Sequence, residues 1–125
     1  METVTGIGGV FFRARNPESL SRWYAEHLGV RQPPQTYDDD PWRQEAGPTV
    51  FAPMGADSPH FGRDGQQWSL NFRVADLDAM VAQLRAADIE VTLHEEEYPN
   101  GRFAELADPE GNPIQLWQPT GREAG

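Results

Sequence analysis

Cysteine is absent from the 125 residues, which excludes disulfides, thiolate nucleophiles and cysteine-ligated metals. Lysine is absent too, since all 10 basic residues are arginine, and Schiff-base catalysis on a lysine goes with it. No apolar run approaches the roughly 20 residues that a membrane-spanning helix needs. Met1-Glu2-Thr3 supplies neither the basic nor the apolar region of a secretory leader, so the expectation is a soluble, cytoplasmic protein. Positive charge is scarce: 20 acidic against 10 basic residues give a net charge of −10, which repels phosphate backbones and argues against a nucleic-acid partner. That acidity either keeps the chain soluble or favours a cationic small molecule. No phosphate-cradling glycine loop follows a strand pattern, and no serine elbow appears.

What is present suits one globular domain over residues 1–125 with a substantial core, rich in loops on account of 12 Gly and 11 Pro. Shifted by about 60 residues, the chain overlays on itself. Gly9-Val10-Phe11-Phe12-Arg13-Ala14 falls on Ser69-Leu70-Asn71-Phe72-Arg73-Val74, Asn16 on Asp76 and Leu20 on Met80. A fixed offset carrying one element order is a duplication signal. It predicts modules over about 6–56 and 66–119, joined by a Gly-, Asp-, Ser- and Pro-rich linker near residues 55–66.

Asn16 is a helix N-cap, Pro17 suits the first turn and Gly29 stops the helix. Leu20, Trp23, Tyr24, His27 and Leu28 form its apolar stripe. Asp76 caps a second helix that buries Leu77, Met80, Val81 and Leu84 and ends near Asp88. Alternation predicts strands over 9–14 and 69–74, with Val10, Phe12, Ala14, Leu70, Phe72 and Val74 turned to the helices. Further strands are expected near 31–37, 42–46, 49–53, 90–94, 102–107 and 113–118. Asp108-Pro109-Glu110-Gly111-Asn112 is a turn between the last two. The tail from Thr120 onward is expected to be mobile.

Each half thus reads β-α-β-β-β. With Trp23-Tyr24 and Leu28-Gly29 ending the first helix and "DPEGNPIQLW" spanning the last turn, the chain resembles the vicinal oxygen chelate superfamily of glyoxalases, bleomycin-resistance proteins and dioxygenases, from about Gly6 to Pro119. The resemblance implies an α+β fold in which two βαβββ modules curl their sheets into a half-barrel around one cavity. It also implies association into a homodimer, with Trp42 and Trp68 as candidate interface aromatics. The metal enzymes of the superfamily carry four His or Glu ligands, at places that fall here on Gly9, Phe51, Ser69 and Gln115. These supply at most two neutral oxygens, and no His or Glu neighbours Gly9 or Ser69. A divalent cation needs several charged or imidazole donors. The expectation is therefore no metal and no cofactor.

The concave face is expected to carry Phe11, Arg13, Phe51, Ser69, Asn71, Arg73, Phe103, Glu105, Gln115 and Trp117, a mixture of aromatic walls and few polar groups that suits a small-molecule ligand. Arg13 and Arg73 occupy repeat-equivalent places and are candidates for an anionic group. Glu105 is either an arginine partner or, if desolvated, a general base, and it is the candidate catalytic residue. His27 belongs to the helix stripe, His94 precedes the solvated run Glu95-Glu96-Glu97, and His60 sits in the linker within reach of the cavity mouth. Three readings follow: a metal-free binding protein for a partly aromatic molecule; a lyase, isomerase or dioxygenase with ligands relocated to His60, His94 or Glu105; and a drug-sequestering resistance protein.

Overall fold

The computed structural model describes residues 1–120. The expectation of a mobile tail falls on residues 121–125 as well as Thr120, and those five lie outside the described residues. Helix α1 spans Pro17–Leu28. The Asn16 side chain accepts from the Ser19 amide, and Gly29 closes the helix in the left-handed conformation (φ 73°) that favours glycine.

The second half is a complete βαβββ unit: β1 (Leu70–Arg73), α2 (Leu77–Ala86), β2 (Thr92–Leu93), β3 (Gly101–Ala107) and β4 (Pro113–Pro119). Its sheet is ordered β1-β4-β3-β2, with β1 parallel to β4 and the other pairs antiparallel. The start of α2 is fastened at three adjacent residues. Asp76 caps α2 at the Ala79 amide, Gln118 on β4 accepts from the Leu77 amide at 2.7 Å, and Arg102 on β3 grips Asp78 with two 3.0 Å bonds.

The first half departs from its expected repeat. Among the described residues it holds α1 but no hydrogen-bonded strand over 9–14, 31–37, 42–46 or 49–53. Proline at 33, 34, 41, 48 and 53 removes ladder donors, and glycine at 6, 8 and 9 raises the entropy lost on forming a strand. The inward alternation survives in part: Phe12 and Ala14 pack on the core and Phe11 stands in solvent, but Val10, expected to face the helices, is 54% exposed. Phe12 also meets Trp68, ring centroids 4.7 Å apart, so Trp68 has an internal partner.

The core lies between the helices and one sheet face. Leu20 and Tyr24 of α1 and Leu77, Val81 and Leu84 of α2 meet Ala104, Leu106, Ile114 and Leu116. Strand alternation therefore turns Asn71, Arg73, Phe103, Glu105, Gln115 and Trp117 to the opposite face. The Asp108–Asn112 turn fastens α1 to this sheet. Tyr24 Oη donates to Asp108 Oδ2 at 2.7 Å, and Glu110 accepts from the Arg15 and Asn16 amides at 2.7 and 3.0 Å. Burial first, then the Asp108 bond and charge, pushes the Tyr24 phenol far above its usual range.

Candidate functional site

Register places two rows across the open face. Asn71, Gln115 and Glu105 are successive cross-strand partners, as are Arg73, Trp117 and Phe103. In the polar row Asn71 Nδ2 donates to Gln115 Oε1 at 2.7 Å, and Glu105 Oε2 lies 3.3 Å from His94 Nε2. In the aromatic row the Phe103 and Trp117 rings are parallel to within 2°, centroids 6.3 Å apart, and Tyr98 meets Phe103 edge-on at 5.8 Å. Trp117 Nε1 donates to the Asn100 carbonyl at 2.9 Å, fixing the indole. The Glu96 carboxylate, through a hydrogen bond and its charge, raises the Tyr98 phenol above its usual range.

A cavity of about 1100 Å³ lies over these rows and runs past the outer edge of β1 to Leu28, Val30 and Met80. Its second wall is the segment from Trp42 to Met54. Arg73 holds that wall: Nη2 donates to the Glu45 carbonyl at 2.8 Å, and Nη1 donates to the Pro48 carbonyl and to Thr49 Oγ1. At the rim, His60 Nε2 and Ser69 Oγ are 3.0 Å apart, a hydrogen bond whose direction follows the imidazole tautomer.

Of the residues expected at the cavity, Ser69, Asn71, Arg73, Phe103, Gln115 and Trp117 line it, and His60 joins them. Phe11 and Phe51 are 94% and 83% exposed, pointing into solvent. Arg13 lies in a separate small groove with Arg15, Arg63, Glu110 and Asn112, so the structure does not bring the two repeat-related arginines together. The repeat places Arg13 by analogy with a strand, and no strand forms there to aim it. Glu105 shares the open sheet face but does not line the cavity; it is half-exposed, and its partner is His94 rather than an arginine. That pairing was readable from the hairpin: Thr92 opposes Glu105, which sets His94 on the same face. The wall from Trp42 to Met54 and its attachment to Arg73 carry no local signal in the sequence.

The four places that hold a metal in the resembled enzymes do not fit one here. Gly9 offers no donor, and a Cβ built on it would stand 2.8 Å from the Phe11 ring. Phe51 points into solvent, Ser69 is engaged with His60, and Gln115 Oε1 is engaged with Asn71. Among the described residues no three of His, Asp and Glu converge at metal-holding distance.

A mixed sheet with helices on one face and a partly aromatic cavity over the other defines a small α+β protein of the glyoxalase type. The family model of the glyoxalase-like domain matches residues 9–117, and the chain belongs to that family. This is the grouping that the last-turn motif and the first-helix ending implied. Solved structures with the same fold include TnmS3, an antibiotic binding protein from Streptomyces sp. CB03234. It is 23% identical, aligned over 96% of this chain and 100% of its own, with a TM-score of 0.61. A glyoxylase/bleomycin resistance protein/dioxygenase domain from Frankia sp. EAN1pec is 15% identical over 94% of this chain and 100% of its own, TM-score 0.58. TioX from Micromonospora sp. ML1 is 15% identical over 86% and 93%, TM-score 0.54. Among curated proteins none matches this chain.

Proposed function

We propose that this protein binds a small, partly aromatic molecule in the cavity over the open sheet face and sequesters it without metal chemistry. The observation that carries the reading is the parallel pair Phe103 and Trp117 beside the Asn71–Gln115 amide pair, inside a cavity of about 1100 Å³. Trp117 is 4% exposed and backs the site, so the half-buried Phe103 ring is the face open to a flat ligand, and a few convergent amides orient it. The antibiotic-binding character of TnmS3 supports an antibiotic or similar natural product as the ligand class. The enzyme reading, with ligands relocated to His60, His94 or Glu105, is less favoured: His60 bonds to Ser69 at the rim while His94 pairs with Glu105.

We also propose that the protein acts in the cytoplasm as a homodimer. The described residues contain no helix long and apolar enough to cross a membrane. Phe11 and Phe51 leave apolar surface outside the cavity, which a second copy would cover. Sedimentation equilibrium at micromolar concentration tests the dimer, and a monomer mass counts against it.

The binding reading is tested by titrating a panel of aromatic natural products and following tryptophan fluorescence, with calorimetry in parallel. Saturable one-site binding that weakens about tenfold or more in Phe103→Ala is expected, in keeping with the loss of an aromatic contact to the ligand. Binding unchanged in that variant, or none across the panel, argues against it.

A further inference from the structure

The ionisable side chains on the cavity wall are Arg43, Glu45, His60 and Arg73. The chain as a whole has 20 acidic residues and a net charge of −10, yet only one carboxylate reaches this wall, against two guanidinium groups. The acidity seen in the sequence is thus displaced from the cavity, whose own lining is locally cationic. With Glu45 on the same wall the excess is one positive charge, which attracts an anion into a low-dielectric cleft.

Arg73 is the half-buried member of the pair. Its acceptors are neutral: the carbonyls of Glu45 and Pro48 and the Thr49 hydroxyl. Among the described residues it has no carboxylate within ion-pair distance, whereas Arg102 is matched to Asp78. A guanidinium cannot shed its proton to escape that situation, and Nε–H takes no part in these bonds. Parallel register also sets Arg73 directly beside Trp117, next to the two parallel rings.

Resting on the cavity-binding reading above, we infer that the ligand is an aromatic acid, with its ring system against Phe103, which the buried Trp117 backs, and its carboxylate on Arg73. A carboxylate adds full charge–charge attraction and a bidentate fit to the guanidinium's hydrogen bonds, which single neutral carbonyls do not supply. A carboxylate therefore displaces part of the Glu45–Thr49 contact, and its binding loosens the segment that Arg73 holds. A cationic ligand meets two arginines instead.

The test titrates the full chain with 2-naphthoate, 2-naphthamide and 2-naphthylmethylammonium, which share a ring and differ in charge, by tryptophan fluorescence and calorimetry at low and high salt. The naphthoate should bind about tenfold more tightly than the amide, the gain expected of one charged hydrogen-bonding partner. Salt should weaken only the acid. Arg73→Gln should erase the advantage, Arg73→Lys should restore part of it, and Arg43→Gln should leave most of it. Equal affinity for acid and amide overturns the inference while leaving the cavity reading intact. So does tighter binding of the ammonium ligand, or an advantage that survives Arg73→Gln and vanishes in Arg43→Gln. Failure of all three to bind overturns the inference together with the reading it rests on. Should Arg73→Gln fail to fold, the salt dependence of acid against amide in the unaltered protein decides the question.

Discussion

The Tyr24 hydroxyl donates a 2.7 Å hydrogen bond to Asp108, 84 residues further along the chain. It is a buried contact that ties α1 of the first half to the last hairpin of the second. Asp108 is itself 4% exposed and accepts three more bonds from its own turn: the Glu110 and Asn112 amides and Asn112 Nδ2. The carboxylate is thereby fully partnered, as a buried charge must be. Tyr24→Phe removes one donor to that charge and leaves the ring packing intact. The expected cost is about 1.5–3 kcal/mol, the range for bonds to charged groups. Urea denaturation followed by far-ultraviolet circular dichroism measures it, and an unchanged midpoint would contradict the buried contact.

The Glu110 carboxylate accepts from the Arg15 and Asn16 amides at the entry to α1, and those two bonds lower its pKa below the usual glutamate range. A carboxyl group held lower in the folded state takes up its proton first in the unfolded chain. Its contribution to stability is therefore complete above the usual glutamate value and is lost as pH falls through the lowered one. Denaturation midpoints between pH 6 and pH 3 should fall more steeply for the native protein than for Glu110→Gln. Parallel curves would show that Glu110 makes no such contribution.

The second half was legible in the sequence because local signals and tertiary packing agree there. The Asp76 cap, the alternation of Phe72 and Val74 and the Asp108–Asn112 turn each state the structure they adopt. Cavity residues on those strands were legible for the same reason: once register is fixed, Asn71, Gln115 and Trp117 must share a face. The first half was not, beyond α1. The repeat suggested strands for residues 31–53, but proline and glycine there withhold donors and stiffness, and the segment folds as the irregular wall held by Arg73. Arg13 was misplaced by the same analogy.

Gly101 shows how closely the site's backbone is packed. Its φ of +144° lies in a region that side chains rarely adopt, and a Cβ there would stand 2.6 Å from Trp117 Nε1 and closer still to the Gln118 carbonyl oxygen. The latter is backbone, so it cannot swing aside. Gly101→Ala should destabilise the protein by about 1–3 kcal/mol, as overpacking does, and should disturb the bond from Trp117 to Asn100. Tryptophan emission and the thermal midpoint report the two effects. A variant as stable as the native protein with unshifted emission would show that the β3 start relaxes freely.

The last prediction concerns metals. Purified protein incubated with Zn²⁺, Ni²⁺, Fe²⁺ or Mn²⁺ and then desalted should retain far less than one equivalent. Cations of this kind hold tightly where imidazoles and carboxylates converge, and the four family positions offer a glycine, an exposed phenylalanine, a serine bonded to His60 and a glutamine bonded to Asn71. Restoring a single carboxylate with Gln115→Glu should not create tight binding, because the imidazoles would still be missing and the new charge would sit beside Glu105, its cross-strand neighbour. Like charges directly opposite each other on a sheet are destabilising, so the variant should lose stability, most of all at neutral pH where both carboxylates are ionised. Elemental analysis and thermal melts with and without each metal check both parts. About one equivalent of a transition metal in the native protein, lost on substituting Gln115 or Glu105, would overturn the metal-free reading and return the cavity to Lewis-acid chemistry.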